Sequence, residues 1–210
     1  MKKIDLKQDL KHLYAPSAKQ IEIVDVPEFQ FAMIDGQIEP GLEPNTSPSF
    51  QQAIEAIYGI AYTLKFMSKQ REQDPIDYTV MALEGLWDVE EGEFDINRKD
   101  NWLWTLMIMQ PKHIDEDMFA QARQHLQKKK DNPAIEKLRL ERFHEGLSIQ
   151  TMHIGPYSEE PATVVRMESY ARENGYVMRG CHHEIYLGDP RRAQPEKLKT
   201  ILRHPVNEAS

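Results

Sequence analysis

Apolar residues recur at Phe50, Ile54, Ile57, Ala61 and Leu64, the spacing of one face of a helix, and Ser47 or Ser49 can cap its start. A second helix is predicted over Asp115 to Lys130, with Phe119, Ala122 and Leu126 inward and Asn132-Pro133 interrupting it before a short turn near Ala134–Leu138. A third runs from Pro161 to Asn174 and stops at Gly175. Asp5 to Tyr14 reads as a short helix carrying Leu6, Leu10 and Leu13 on one side. Between these lie segments of a different period. Ile21–Val26 alternates, Phe29–Ile34 is again apolar, and Pro27 marks a break in what reads as one interrupted strand. Tyr78–Leu86 and Trp102–Met109 are rich in β-branched, aromatic and large apolar side chains, and predict two strands joined by an acidic turn holding Gly92, Asp95 and Asn97. Leu147–Ile154, His182–Leu187 and Leu198–Leu202 complete the strands.

The order strand, helix, strand, strand therefore occurs twice, with a helical connector between. Met33-Ile34-Asp35-Gly36 closes the first strand of one half as Met152-His153-Ile154-Gly155 closes that of the other. This predicts an α+β fold, a tandem β-α-β-β repeat in one domain spanning residues 1–210. The first half is placed at about 20–111, the connector at about 112–138 and the second half at about 139–206. Each half-sheet has one face to cover, which its helix can do. Joined edge to edge, the halves give one antiparallel sheet with a ligand cleft between or opposite them.

Composition narrows the classes. With 40% apolar and 29% charged residues the chain is too apolar to be disordered. No run approaches the ~18 apolar residues of a membrane span, and Met1-Lys-Lys-Ile-Asp-Leu-Lys has no apolar stretch behind it to act as a leader. A lone cysteine, Cys181, can form no internal disulfide and fits a cytoplasmic location. There are 26 Lys and Arg against 34 Asp and Glu, a net charge of −8, which argues against a nucleic-acid surface. Basic residues at Lys128–Lys130 and at Arg191, Arg192, Lys197, Lys199 and Arg203 read as solvated faces. Only about 20 residues precede the first strand, fewer than a helix-turn-helix reader needs.

The chemistry centres on one strand. Alternation along His182–Leu187 puts His183, Ile185 and Leu187 on a core face and His182, Glu184 and Tyr186 on the other. Carboxylates are depleted in strands, so Glu184 marks either a solvated outer face or a site. Trp102 and Trp104 share a strand face, and Trp87, Tyr58, Tyr62, Tyr157 and Tyr186 can extend an aromatic wall; core packing accounts for such residues equally well. A flat hydrophobic or cationic ligand suits rings around a carboxylate. Metal binding by Cys181, His182, His183 and His153 is disfavoured, since adjacent strand residues point to opposite faces. No phosphate-binding glycine loop and no Gly-x-Ser-x-Gly occurs, so no cofactor is expected.

Several runs resemble stand-alone GyrI-like small-molecule-binding proteins: Asp9–Lys19, Tyr58–Lys65, Glu84-Gly-Leu-Trp87, Trp104–Pro111, Met152–Tyr157, His182–Arg191 and Lys197–Arg203. They keep their order over nearly the whole chain. The resemblance implies the same tandem β-α-β-β fold. It also implies an aromatic pocket whose strand glutamate, matching Glu184, engages cationic drugs in effector domains of multidrug-responsive regulators. Some members hydrolyse cyclopropane-bearing DNA-alkylating toxins, and there Glu184 would be the base, with Trp87, Trp104 and Tyr186 as walls. The alternatives implied are a drug-binding protein that sequesters or senses without turnover, and a gyrase-interacting inhibitor; only the acidic run Asp88–Glu93 hints at the latter, and it reads as a solvated turn. Two positions depart from the family pattern: Ala82 stands where proline is common, and Asp88, beside the Trp87 wall, where a second aromatic is.

Overall fold

A computed structural model describes residues 1–92, 94–97 and 102–209. The elements are, in order, β1 (Lys2–Ile4), α1 (Leu6–Asp9), α2 (Lys11–Tyr14), β2 (Glu22–Val26), β3 (Phe29–Gln37), α3 (Pro48–Lys69), β4 (Ile76–Tyr78), β5 (Leu83–Val89), β6 (Trp102–Met109) and α4 (Glu116–Lys129). There follow β7 (Arg139–Phe143), β8 (Gly146–Ile154), α5 (Glu160–Glu173), β9 (Tyr176–Met178), β10 (His182–Tyr186) and β11 (Lys199–Glu208). The fold is α+β, with a large antiparallel sheet in the row β2-β8-β11-β10-β5-β6-β3-β7 and β9 on the end of β11 that β10 does not reach.

The row records the repeat. Exchanging β2, β3, β5 and β6 for β7, β8, β10 and β11 turns it into its own reverse, as an approximate two-fold axis requires. The axis passes through the seam between β10 and β5, where Ile185 faces Glu84, Glu184 faces Gly85 and Tyr186 faces Leu83. Position 184 in the second half thus corresponds to Leu83 in the first. The carboxylate breaks the symmetry at its centre.

Connectivity makes the sheet curl. Only Pro27 and Glu28 separate β2, at one edge, from β3, next to the other edge. Six strand spacings in a flat sheet would put them about 29 Å apart, whereas three residues reach only about 10 Å. The sheet must bend until its ends nearly meet. The β7–β8 link, His144 and Glu145, poses the same constraint and crosses the inner face, where Glu145 bonds to His183 and Arg203 of the central strands. Pro27, expected to interrupt one strand, instead marks where the chain passes from one end of the sheet to the other.

The helices α3 and α5 share the opposite, outer face. Ser47 caps α3 by accepting from Phe50 N at 3.2 Å, and Pro48 takes the first helical position, where a missing N–H costs nothing. Its stripe Ala53, Ile57, Ile60 and Leu64 is fully buried. Phe50 meets Trp87 and Trp104 of the sheet. On the other half, Met167 and Ala171 of α5 pack with Ile149 and Leu202. Asp115 caps α4, which lies against α3 with Leu126 over Gly59. The inner face is closed from the N-terminus: Leu13 O accepts from Arg203, and Tyr14 OH donates to Glu84 at 2.7 Å.

Several boundaries differ from the sequence expectation. Asp5–Tyr14 is two short turns, α1 and α2. Tyr78–Leu86 is broken over residues 79–82, so that Ile76–Tyr78 pairs in parallel with Lys2–Ile4 as a separate two-stranded sheet. The last strand runs to Glu208 rather than Leu202, and β7 and β9 are additional. Glu93, at the end of the acidic run, lies outside the described residues. No helix of the described chain is long and apolar enough to cross a membrane.

Candidate functional site

Glu184 lies on the outer face of β10 at the seam, between α3 and α5, and is only 5% exposed. The period-two geometry of the strand brings Tyr186 to the same face, and its hydroxyl donates to Glu184 Oε2 at 2.7 Å. Trp87 Nε1–H, from the neighbouring strand, donates to that hydroxyl at 3.0 Å. Gly85 sits directly across from Glu184. A methyl there would stand 3.0 Å from Trp87 Nε1 and 3.2 Å from Tyr186 OH, so the bare backbone leaves room for this hydrogen bond.

The remaining neighbours are polar groups with unused valences. His182 Nε2 stands 3.4 Å from Glu184 Oε1, outside hydrogen-bond geometry, and has no hydrogen-bond partner among the described residues. Thr200, paired with Tyr186 across β11, has a buried hydroxyl in the same condition. Among the described residues no lysine or arginine pairs with Glu184. Burial followed by the Glu184 charge pushes the Tyr186 phenol well above its ordinary value, keeping it a donor. Burial and the nearby His182 ring hold His204 down to about 4, so that it is neutral at pH 7.

Rings close over this group. Tyr157 stands edge-on to Tyr186 with centroids 5.9 Å apart. Phe94 stacks on His182 at 5.5 Å and packs on Trp102, which in turn lies 4.9 Å from Trp87. The structure therefore gathers Glu184, Tyr186, His182, Trp87, Trp102 and Tyr157 on one face. Tyr58 of α3 is half-buried and near enough to Tyr157 to act on its phenol, its own phenol raised by burial and by the charges of Tyr62 and Asp189. Tyr62 is one helical turn further out and about half exposed. Trp104 is not part of this group; it lies beyond Phe50, over Gly36. Sequence reading missed Phe94, Gly85 and Thr200. Only Gly85 left a signal, a glycine inside a strand pattern.

His183, expected on an apolar core face, belongs to a buried charge network on the inner face. Its Nδ1 is 2.9 Å from Glu145 Oε1 and its Nε2 3.0 Å from Glu84 Oε2. Arg203 donates to Glu145 at 3.1 Å and to Gln150 Oε1 at 3.0 and 2.9 Å. Burial alone would lower the His183 pKa, but Glu145 and Glu84 outweigh it and lift it to about 9. Both carboxylates here have partners, and both cations do. The network ties the β7–β8 link to the central strands.

Cys181 donates weakly to Asp88 at 3.6 Å, and burial with that carboxylate raises its thiol to about 11, so it is no nucleophile at neutral pH. No group of three or more His, Cys, Asp or Glu among the described residues is placed to hold a metal ion.

A curled tandem β-α-β-β sheet with an asymmetric carboxylate under a layer of rings is the architecture of a small-molecule-binding domain. Residues 19–206 match the GyrI-like small molecule binding domain, and the chain belongs to that family. Among solved structures it is similar to an uncharacterized conserved protein from Listeria innocua, with 40% identity, a TM-score of 0.87, and coverage of 97% of this chain and 100% of that one. A hydrolase from Listeria innocua shares 39% identity at a TM-score of 0.82 over 97% of this chain and 100% of its own. The EcmrR C-terminal domain is similar in fold, with 13% identity and a TM-score of 0.55 over 90% and 98% of the two chains. No curated protein matches the sequence at a significant level.

Proposed function

We propose that this protein binds flat hydrophobic or cationic aromatic molecules against Glu184 and hydrolyses strained, electrophilic ring compounds of the cyclopropane-bearing alkylating type, detoxifying them. One observation carries the proposal: Glu184 is buried with a phenol donor on one oxygen and no lysine or arginine partner among the described residues. A buried carboxylate is ordinarily paired, as Glu145 and Glu84 are here. With no lysine or arginine beside it among the described residues and only the His182 ring at 3.4 Å, such a carboxylate favours a ligand that brings a cation, or a reaction that hands it a proton. Rings at Trp87, Tyr157 and Tyr186 suit a planar body. Some ring now covering the carboxylate must turn aside for a ligand, and Tyr157, half-exposed in a single helical turn, is placed to do so.

In the hydrolytic step Glu184 takes a proton from water while the water oxygen bonds to a ring carbon. The strained C–C bond breaks, and its electron pair moves into the substrate's conjugated carbonyl, whose oxygen is then protonated. Strain lowers the barrier, so a placed water and one base suffice. The solved hydrolase from Listeria innocua, 39% identical, favours turnover over binding alone.

Glu184→Gln separates the two parts. The variant should bind a cationic aromatic dye about tenfold or more weakly, the scale of a lost charged hydrogen bond. It should still bind an uncharged cyclopropane-bearing alkylator, with product formation falling by ~10²–10⁴ by chromatographic assay. Equal turnover in both proteins removes the hydrolytic role; equal dye affinity removes the charge complementarity. Dye binding without product in the wild type leaves a sequestering protein.

A further inference from the structure

Of the described rings gathered over Glu184, Phe94 alone comes from outside a strand or helical turn, in the connection between β5 and β6. It lies nearly parallel to the His182 imidazole, with centroids 5.5 Å apart and planes at 17°, and tilts on Trp102 at 5.1 Å. An offset stack of this kind is the arrangement a flat ligand ring takes. Phe94 is half-buried, whereas His182 and Trp102 beneath it are 1% and 3% exposed. The cover is looser than what it covers.

What lies under the phenyl is polar. His182 Nε2 is buried without a hydrogen-bond partner among the described residues, 3.4 Å from Glu184 Oε1. A hydrocarbon ring offers neither atom a hydrogen bond, so the closed arrangement keeps a desolvated group unmet. Elsewhere this chain pairs the polar groups it seals. On the inner face of the same strand His183 meets Glu145 and Glu84 at 2.9 and 3.0 Å, and Trp87 Nε1–H is bonded to Tyr186. A cover mismatched to the groups beneath it yields to a better-matched molecule.

The segment is also held unevenly. Gly92, two residues before Phe94, has φ at +92°, in the left-handed region, and a Cβ there would meet nothing within 4 Å. Beyond Phe94, Trp102 Nε1–H donates to Asp95 O at 3.3 Å and Ile96 is buried. The ring thus sits between an open turn and an anchored stretch.

We infer that Phe94 is an occupant of the Glu184 site supplied by the chain itself: its ring holds the place of a ligand ring on His182 and Trp102, and leaves when a flat cation stacks there. This rests on the reading of Glu184 as the ligand's counter-charge and adds an internal competitor to it. Tyr157 covers the Tyr186 end of the site, and Phe94 governs the His182 end. The apparent dissociation constant is then the intrinsic one divided by the fraction of molecules whose ring is displaced. A ring seated in about nine molecules of ten weakens binding about tenfold.

Ethidium, a flat fluorescent cation, is the probe. Phe94→Ala should bind it roughly three- to thirtyfold more tightly than wild type by fluorescence titration. Phe94→Leu, which keeps the apolar fill but loses the flat face, should fall between the two, and circular dichroism checks that each variant is folded. In stopped flow the wild-type binding rate should level off with rising ethidium at the rate at which the ring leaves, and in Phe94→Ala it should rise in proportion. Equal or weaker affinity in both variants overturns the inference and makes Phe94 a wall of the site. Glu184→Gln, made in wild type and in Phe94→Ala, separates the two readings. Tighter binding in Phe94→Ala with no response to Glu184→Gln removes the counter-charge and keeps the displaced ring. A loss on Glu184→Gln in both backgrounds, with no gain from Phe94→Ala, does the reverse. No binding of ethidium to any of these proteins overturns both.

Discussion

Gly85 shows how much of the site depends on an atom left out. It lies across the seam from Glu184, and its missing side chain admits the Trp87–Tyr186 hydrogen bond that orients the phenol toward the carboxylate. In Gly85→Ala the new methyl meets atoms at 3.0–3.4 Å, close enough to push them by a few tenths of an ångström but not to unfold a strand. Alanine is also the less flexible residue in the unfolded chain, which offsets part of the strain. The expected result is a cationic-dye affinity reduced by roughly fivefold, on the scale of one weakened hydrogen bond, with the thermal midpoint within a few degrees of wild type. Isothermal titration and calorimetry check the two halves. A midpoint collapse with unchanged affinity of the folded fraction would show that Gly85 serves packing alone.

At the level of elements, the N-terminus of α3 joins a helix cap to an ionised side chain. Ser47 accepts from Phe50 N and donates to Glu39, and Ser49 N also donates to Glu39. These bonds, led by that from Ser47, hold the Glu39 carboxyl down to about 2. Ser47→Ala should cost ~1 kcal/mol for the cap, measured by urea unfolding at pH 7. It should also lift the Glu39 pKa toward its usual range in a carboxyl NMR titration. Elements such as α3 were legible because one stripe of apolar residues, Phe50 to Leu64, lasts about four turns, and Trp102–Met109 because no helix period fits it. What failed was reading where a strand ends. Arg203, His204 and Pro205 look like the close of a strand that stops at Leu202, yet β11 continues through them, with Arg203 buried because Glu145 and Gln150 receive it. Glu145 stands 58 residues away in the sequence, and no local pattern announces it. The face of Glu184 followed from alternation alone. Its covering by Phe94 did not, because that residue arrives from a loop.

The charge network that makes Arg203 a core residue also sets how the whole molecule answers to pH. The curl brings the β7–β8 link across the inner face, so that Glu145, Glu84, His183 and Arg203 sit together out of water, two charges of each sign. His183 is raised to about 9 from an ordinary value near 6.5. Folded protein therefore keeps a proton that unfolded chain has released, and its stabilising share is whole below pH ~6.5 and lost as pH climbs through about 9. Glu145 runs the other way. Burial works against its charge, but His183 and Arg203 prevail and bring it to about 2, so its share is present above the usual carboxylate range and lost only as pH falls through about 2. Unfolding free energy from urea titrations should thus decline across pH 7–9 with a slope approaching ~1.4 kcal/mol per unit for the single proton involved. In His183→Gln that limb should flatten, and the acid limb should shrink and move to higher pH, because Glu145 then has only Arg203 to hold it ionised. Glu145→Gln should lower stability at pH 7 by ~3–5 kcal/mol, because it strands Arg203 and His183 without their shared anion. Parallel pH curves for wild type and His183→Gln would mean that the imidazole is neutral in the fold, and that Arg203 alone balances the two carboxylates across the closed sheet.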